Sequence, residues 1–379
     1  MNYLETDLLY KVVKFIRYSR MYGINRTWIK YKSYVHEHGK IKGSTKNPIT
    51  PRSVVSIVGS GKYSFAVIAY YMRQHGKFKV RYVFDKNKRR RENLARYYKG
   101  NSLTSFEQLL DKGGTELLVI ASNHFTHAPY AVQAINRGVN VHIEKPHAVT
   151  FEQLNQLTIA LKENPSVKVN LGYNRPKSEL AGIMNRYLDQ QDGSLVVNWF
   201  VAGHEIEPDH WYFDEKEGGR VLGNLVHWID YTLDLVGLEN AFPLRIIPTR
   251  ADSSDSNIVV SYVFGDGSIA TISFSAKGHT FDGVREYLNI HKGDLLMSMR
   301  DYKDLNISLD SKRIKHTLNH RDHGHKANVE HSLGLIDGST EGASREWIYY
   351  SGFISLMTKD ALDKNNPVDV LGDEFDKVQ

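Results

Sequence analysis

Glu144, Lys145 and Pro146 stand in immediate succession at the end of the apolar run "VNVHIE", residues 139–144. A turn can use the proline but rarely needs a glutamate and a lysine fixed beside it, so the segment is either a solvated strand end or part of a site. Other residues with chemical potential fall at comparable places. Gly59 and Gly61 follow the mostly apolar run "SVVSIV" (53–58) and precede a helical pattern through Phe65, Ile68, Ala69 and Met72. Glycines at a strand-to-helix turn let the backbone approach a pyrophosphate, whose charge the helix N-terminus favours. Ser64 takes the third position of the G-x-G-x-x-G pattern and is still small enough for close helix–strand packing. Asp85 ends "FKVRYVFD" (78–85), where a carboxylate can accept hydrogen bonds from an adenosine ribose diol and repel a 2′-phosphate. That favours NAD, while the arginines of "KNKRRR" (86–91), which could cradle such a phosphate, leave NADP open.

These residues share an arrangement. The runs 53–58, 78–85, 115–122 and 139–144 alternate with helical patterns and short turns, which predicts an α/β domain with a parallel sheet wound on both faces. Ligands of such sheets bind at the carboxyl ends of the strands. Gly59, Gly61, Asp85, Asn123, His127 and the Glu-Lys-Pro triplet all fall on that rim. Further along, patterns such as "SLVVNWFVAG" and "SIATISFSAKG", joined by turns such as "FGDGS", predict antiparallel hairpins. Within that half, "GGRVLGNLVHWIDYTLDLVG" (218–237) reads as a helix with Leu225, Trp228, Ile229, Leu233 and Val236 on an apolar stripe. His227 and Asp230 lie three apart and can share a face of it.

Length and composition suit a globular chain of two domains: 379 residues, 41% hydrophobic and 24% charged. No apolar run reaches the ~18 residues needed to cross a membrane, and the absence of cysteine excludes disulfides and thiolate metal sites and fits a reducing cytoplasm. The net charge of +6 is concentrated at one end, since residues 1–52 hold 11 Lys/Arg against 3 Asp/Glu and the other 327 hold 38 against 40. A nearly neutral main body argues against nucleic acid as a partner. In the extension, Leu4, Leu8, Leu9, Val12, Val13 and Ile16 recur at helical spacing between basic residues. Such a helix packs on its own domain or on a partner protein, or rests on an anionic membrane surface. Residues 43–52 read as a linker. Seven histidines fall between 279 and 331 but form no recognised zinc pattern, so no metal is expected.

The segments "IVGSGKYS", "VIASNHFTHAPYAVQAINRGVNVHIEKPHAVT", "LGYNRP" and "GGRVLGNLVHWIDYTLDLVG", in that order and spacing, resemble the Gfo/Idh/MocA dehydrogenases. The resemblance covers residues 53 to about 360 and implies a Rossmann domain followed by an α+β domain. The large, open, mostly antiparallel sheet of that second domain would mediate homodimer or homotetramer formation. The implied division is 1–50 as extension and linker, 51–172 as NAD(P)-binding domain and 173–379 as substrate and oligomerisation domain, with the last helices free to pack back on the first. The implied chemistry is hydride transfer between nicotinamide and a hydroxyl of a sugar, sugar acid or nucleotide sugar. An epimerase or lyase that recycles tightly held NAD, or a dinucleotide-binding scaffold without catalysis, are the alternatives.

Carried onto this chain, the resemblance assigns cofactor contacts to Gly59, Gly61, Lys62, Tyr63, Asp85, Ser122, Asn123, His127, Glu144, Lys145 and Pro146, the last expected in a cis peptide bond. Lys145 would reach both cofactor and substrate, and His227 would be the general acid/base. Family members often carry an Asp four residues before this His; here Gly223 stands there, followed by Asn224, which is expected with His227 among the substrate-binding residues. A sub-branch with the same Gly also has an upstream His-Trp pair, which points to His210 and Trp211 as pocket residues and to Asp209 or Asp214 as a substitute acid. Arg175 is expected either to meet an anionic substrate group or to form a structural salt bridge.

Overall fold

The computed structural model describes residues 8–203, 206, 209–250, 257–276 and 283–378. Leu4, part of the apolar stripe read in the extension, lies outside them, as does His279. The chain opens with a helical hairpin, α1 (Leu8–Tyr22) and α2 (Ile24–His38). A first unit follows: β1 (Ser53–Val58), α3 (Ala69–His75), β2 (Lys79–Phe84), α4 (Lys88–Tyr98), β3 (Asn101–Leu103), α5 (Phe106–Asp111), β4 (Leu117–Ile120), α6 (His127–Ile135), β5 (Asn140–Ile143), α7 (Phe151–Glu163) and β6 (Val169–Leu171). Its six strands pair in the order β3-β2-β1-β4-β5-β6, all parallel. This is the doubly wound dinucleotide-binding topology, whose crevice lies where the strand order reverses, between β1 and β4.

Sequence dictates this sheet plainly. Every residue of β1 and β4 is buried, as continuous apolar runs covered on both faces require. Asn87 caps α4 by accepting from the Arg90 amide, and Thr150 caps α7 in the same way from Gln153. Gly59 has φ 85°, and a Cβ there would lie 2.3 Å from the carbonyl oxygen of Ala121, so only glycine lets the β1 turn cross the end of β4. The three-residue β3 was not foreseen, being too short to show a period.

The second unit comprises α8 (Glu179–Leu188), β7 (Val196–Ala202), α9 (Val226–Val236), α10 (Leu238–Ala241), β8 (Leu244–Arg250), β9 (Asn257–Val263), β10 (Ile269–Ser275), β11 (Arg285–Lys292), β12 (Leu295–Arg300), β13 (Asp304–Leu309), β14 (Lys312–Thr317), α11 (His325–Asp337), α12 (Arg345–Lys364) and β15 (Val368–Val370). Among the described residues its nine strands run β14-β13-β12-β11-β7-β10-β9-β8-β15, antiparallel except where β10 pairs with β7. Strand burial alternates: Trp199 and Val201 point into the core, while Val196 and Phe200 are about half exposed on the open face. Helix α11 returns to the first unit, where Val329, Leu333 and Leu335 join the core built around β1 and α3.

The helical hairpin packs on its own chain. His36 of α2 is fully buried, stacks on Phe65 with ring centroids 4.4 Å apart, and bonds the Ser60 carbonyl at 2.6 Å. Arg26 donates to the Ala66 carbonyl. At the turn between the helices, the Met21 carbonyl accepts from the Arg321 amide at 2.8 Å. Helix α1 leaves Leu9, Val12, Val13 and Ile16 exposed.

Candidate active site

The rim of the parallel sheet carries the first half of the site. Asp85 Oδ2 accepts from the Ser60 amide at 2.6 Å and Oδ1 from the Asn87 amide at 2.7 Å, so the carboxylate organises the glycine turn beside it. Gly61 opens onto free space: a Cβ built there meets nothing within 4 Å. Ser60 Oγ is buried without a partner. An open turn with an orphan hydroxyl, followed by a helical segment that begins with a π turn at Ser64–Ile68, fits a dinucleotide pyrophosphate.

Beyond β5 the Lys145–Pro146 peptide is cis, as expected. Glu144 is buried and bonded to His142 Nε2 at 3.1 Å. Tyr63 is held by His325 Nδ1 at 3.3 Å, and burial followed by the Glu144 charge pushes its phenol well above the usual range. Lys145 Nζ donates to the Gly223 carbonyl oxygen at 2.6 Å. Gly223 lies in a π turn, Val221–Leu225, that leads into α9. On that segment Asn224 Oδ1 and His227 Nδ1 are both buried and unpartnered. Burial first, then the Arg175 and Lys145 charges, hold the His227 imidazole well below its ordinary pKa, so it is neutral at pH 7.

Gly223 has a physical reason. A Cβ there would lie 2.6 Å from the ring of Tyr212, whose hydroxyl donates to the Gly223 carbonyl at 3.4 Å. Tyr212 therefore fills the space that an aspartate side chain would need. It belongs to an aromatic group in which Trp211 meets His124 edge-on at 4.8 Å and Tyr212 meets His124 at 4.9 Å. Buried Glu217 ties this group to the end of β4, accepting from the Phe125 amide at 3.1 Å while its carbonyl bonds His124 Nδ1 at 2.9 Å.

Several expected contacts are placed otherwise. His127 is buried with its ring between the carbonyls of Pro146, at 2.7 Å, and Ser122, at 3.0 Å, so it braces the triplet. Lys62 turns its ammonium over the Tyr34 ring of α2, 4.6 Å from the centroid. Ser122 Oγ bonds Thr126, and exposed Asn123 reaches Glu217. Arg175 makes two bonds to Glu286, at 2.7 and 2.9 Å, and lies over the Trp228 ring, so its expected role as an anion ligand gives way to the salt-bridge alternative. Burial would raise the Glu286 carboxyl, but Arg175 and His323 outweigh it and hold it well below the carboxylate range. His210 spends Nδ1 on the Tyr212 amide, with Trp211 exposed beside it. Neither Asp209 nor Asp214 bonds Lys145; Asp214 is exposed and pairs with Lys216. Sequence reasoning missed Tyr212, Glu217, His323 and His325. An aromatic doublet after the His-Trp pair was the available sign for Tyr212; the others had none. Among the described residues no cluster of side chains suits a metal ion, and no helix is long and apolar enough to cross a membrane.

A six-stranded parallel sheet in the dinucleotide-binding order, with an oxidoreductase family match over the same residues, makes this an NAD(P)-dependent oxidoreductase. Residues 54–173 match the model of the oxidoreductase family with an NAD-binding Rossmann fold. That stretch, the parallel-sheet unit of the chain, is the part that matches the Gfo/Idh/MocA oxidoreductase model. It is 30% identical to glucose-6-phosphate 3-dehydrogenase of Bacillus subtilis over 31% of this chain and 30% of that enzyme. Its identity to 2,7-anhydro-N-acetylneuraminate hydratase of Escherichia coli is 23%, over 65% of this chain and 67% of that one. In fold it resembles levoglucosan dehydrogenase in complex with NADH and levoglucosan, with TM-score 0.72 and 16% identity over 84% of this chain and 99% of that one.

Proposed function

We propose that this enzyme moves hydride between nicotinamide and a hydroxyl-bearing carbon of an uncharged sugar, with Lys145 and His227 handling the hydroxyl. The observation that carries this reading is the convergence of the Lys145 ammonium on the segment bearing the unpartnered Asn224 Oδ1 and His227 Nδ1. Buried polar atoms without partners are costly, and a polyhydroxylated ligand supplies the missing hydrogen bonds. Lys145 uses one N–H on Gly223 and keeps two for a ligand oxygen, where its charge stabilises a developing alkoxide. Neutral His227 is in the state that accepts the hydroxyl proton. Asn224 accepts a bond from a neighbouring hydroxyl and so fixes the ring. Residues 59–61, with Asp85 behind them, would hold the dinucleotide, which when bound takes up or returns the hydride. Arg175 is spent on Glu286, which favours a neutral sugar over a sugar phosphate.

A relative of Escherichia coli is named as a hydratase, a reaction with no net redox change, which favours a second reading in which NAD stays bound, takes hydride and is re-oxidised by returning it within one turnover. The open face around Val196 and Phe200 supports pairing with a second copy, and the exposed side of α1 supports a partner contact for residues 1–50. The decisive experiment presents levoglucosan and a panel of neutral sugars, then repeats the best substrate with Lys145→Met. Turnover should fall by about 10²–10⁴-fold, and undiminished turnover would refute the assignment. Accumulating NADH marks a dehydrogenase; product without NADH marks internal recycling.

A further inference from the structure

Helix α2 ends against the N-terminus of α4, next to Asp85. There Glu37, one of three acidic residues among the first 52, pairs with Arg90. The Glu37 side chain is 13% exposed, so the pair is largely sheltered on its acidic side. Arg89 Nη1 donates to the Glu37 carbonyl at 3.4 Å and the His38 carbonyl at 3.3 Å, the last acceptors of α2. Arg91 Nη1 donates to the Asp85 carbonyl at 3.2 Å. Asn93 of α4 fixes this junction, giving its amide to the carbonyls of His36 at 2.8 Å and Gly39 at 3.0 Å. All three arginines of the basic run are therefore engaged, two of them by the helical extension.

We propose that Glu37, in the extension and outside the dinucleotide fold, sets the choice of NAD over NADP by withholding Arg90 from the adenosine ribose. The inference rests on dinucleotide binding at residues 59–61 and Asp85. A 2′-phosphate beside Asp85 would have to draw Arg90 from Glu37 and then face two carboxylates together with the negative end of α2. A 2′-hydroxyl meets no such conflict and can donate to Asp85.

The test is titration of the full chain with NADH and NADPH, followed by nicotinamide fluorescence. Wild type should bind NADH at least about ten-fold more tightly, the worth of one charge-assisted contact. Glu37→Gln should tighten NADPH by about ten-fold and move NADH less than about two-fold. Glu37→Gln with Arg90→Ala should lose that gain. Arg90→Ala alone, which does not depend on the folding of the Glu37 variant, should leave NADPH affinity unchanged. Equal binding of the two dinucleotides by wild type, a parallel shift of both in Glu37→Gln, or weaker NADPH binding in Arg90→Ala would each overturn the proposal. If wild type binds neither dinucleotide, the dinucleotide reading itself fails.

Discussion

Asp230 of α9 is buried with Ser351 Oγ donating to it at 2.7 Å, and burial raises its carboxyl from 3.8 to about 8. The folded protein therefore keeps this proton at pH values where the unfolded chain releases it. For an acid with a raised native pKa, the stabilising contribution is fully present below the unfolded value and is lost as pH rises toward the folded one. Each pH unit inside that window removes about 1.4 kcal/mol. Asp230→Asn keeps an acceptor for Ser351 and abolishes the titration. The variant should gain on wild type by about 4 kcal/mol between pH 5 and pH 8, three units of the window. Guanidinium unfolding of both proteins at the two pH values, followed by tryptophan fluorescence, measures the difference. A constant offset across pH, or a variant less stable than wild type at pH 8, would show that Asp230 is ionised in the fold.

Two other substitutions probe the site's construction. Gly223→Ala should cost about 1–3 kcal/mol because its Cβ meets the Tyr212 ring. Adding Tyr212→Ala should remove most of that loss in thermal unfolding, and a neutral single variant would refute the steric account. Glu286→Gln should destabilise by about 3–5 kcal/mol by leaving Arg175 buried without its counter-ion. Adding Arg175→Met should recover much of it, whereas equal loss in single and double variants would place the damage elsewhere.

Much of this architecture was legible in the sequence because period and position speak loudly in it. The buried runs of β1 and β4 admit only a covered parallel sheet, and the cis Lys145–Pro146 bond sits at its rim. The alternation in β7 and β10 marks a sheet with one open face. What stayed hidden depends on contacts far apart in the chain. Arg175 and Glu286 are 111 residues apart, so nothing near Arg175 could show that its charge was already answered. Gly223 looked like a gap in a catalytic set until Tyr212 was seen to occupy the space. His127 carries the right residue type at the right strand end, yet two backbone carbonyls claim its ring.

The helical hairpin also bears on motion. Its second helix holds the Ser60 carbonyl through His36, while the turn before it holds the amide of Arg321, which belongs to a segment anchored to the Tyr302 carbonyl through Asp322. One rigid piece is thus fastened to both units across the cleft. Hinge opening on that side must first strip the hairpin away.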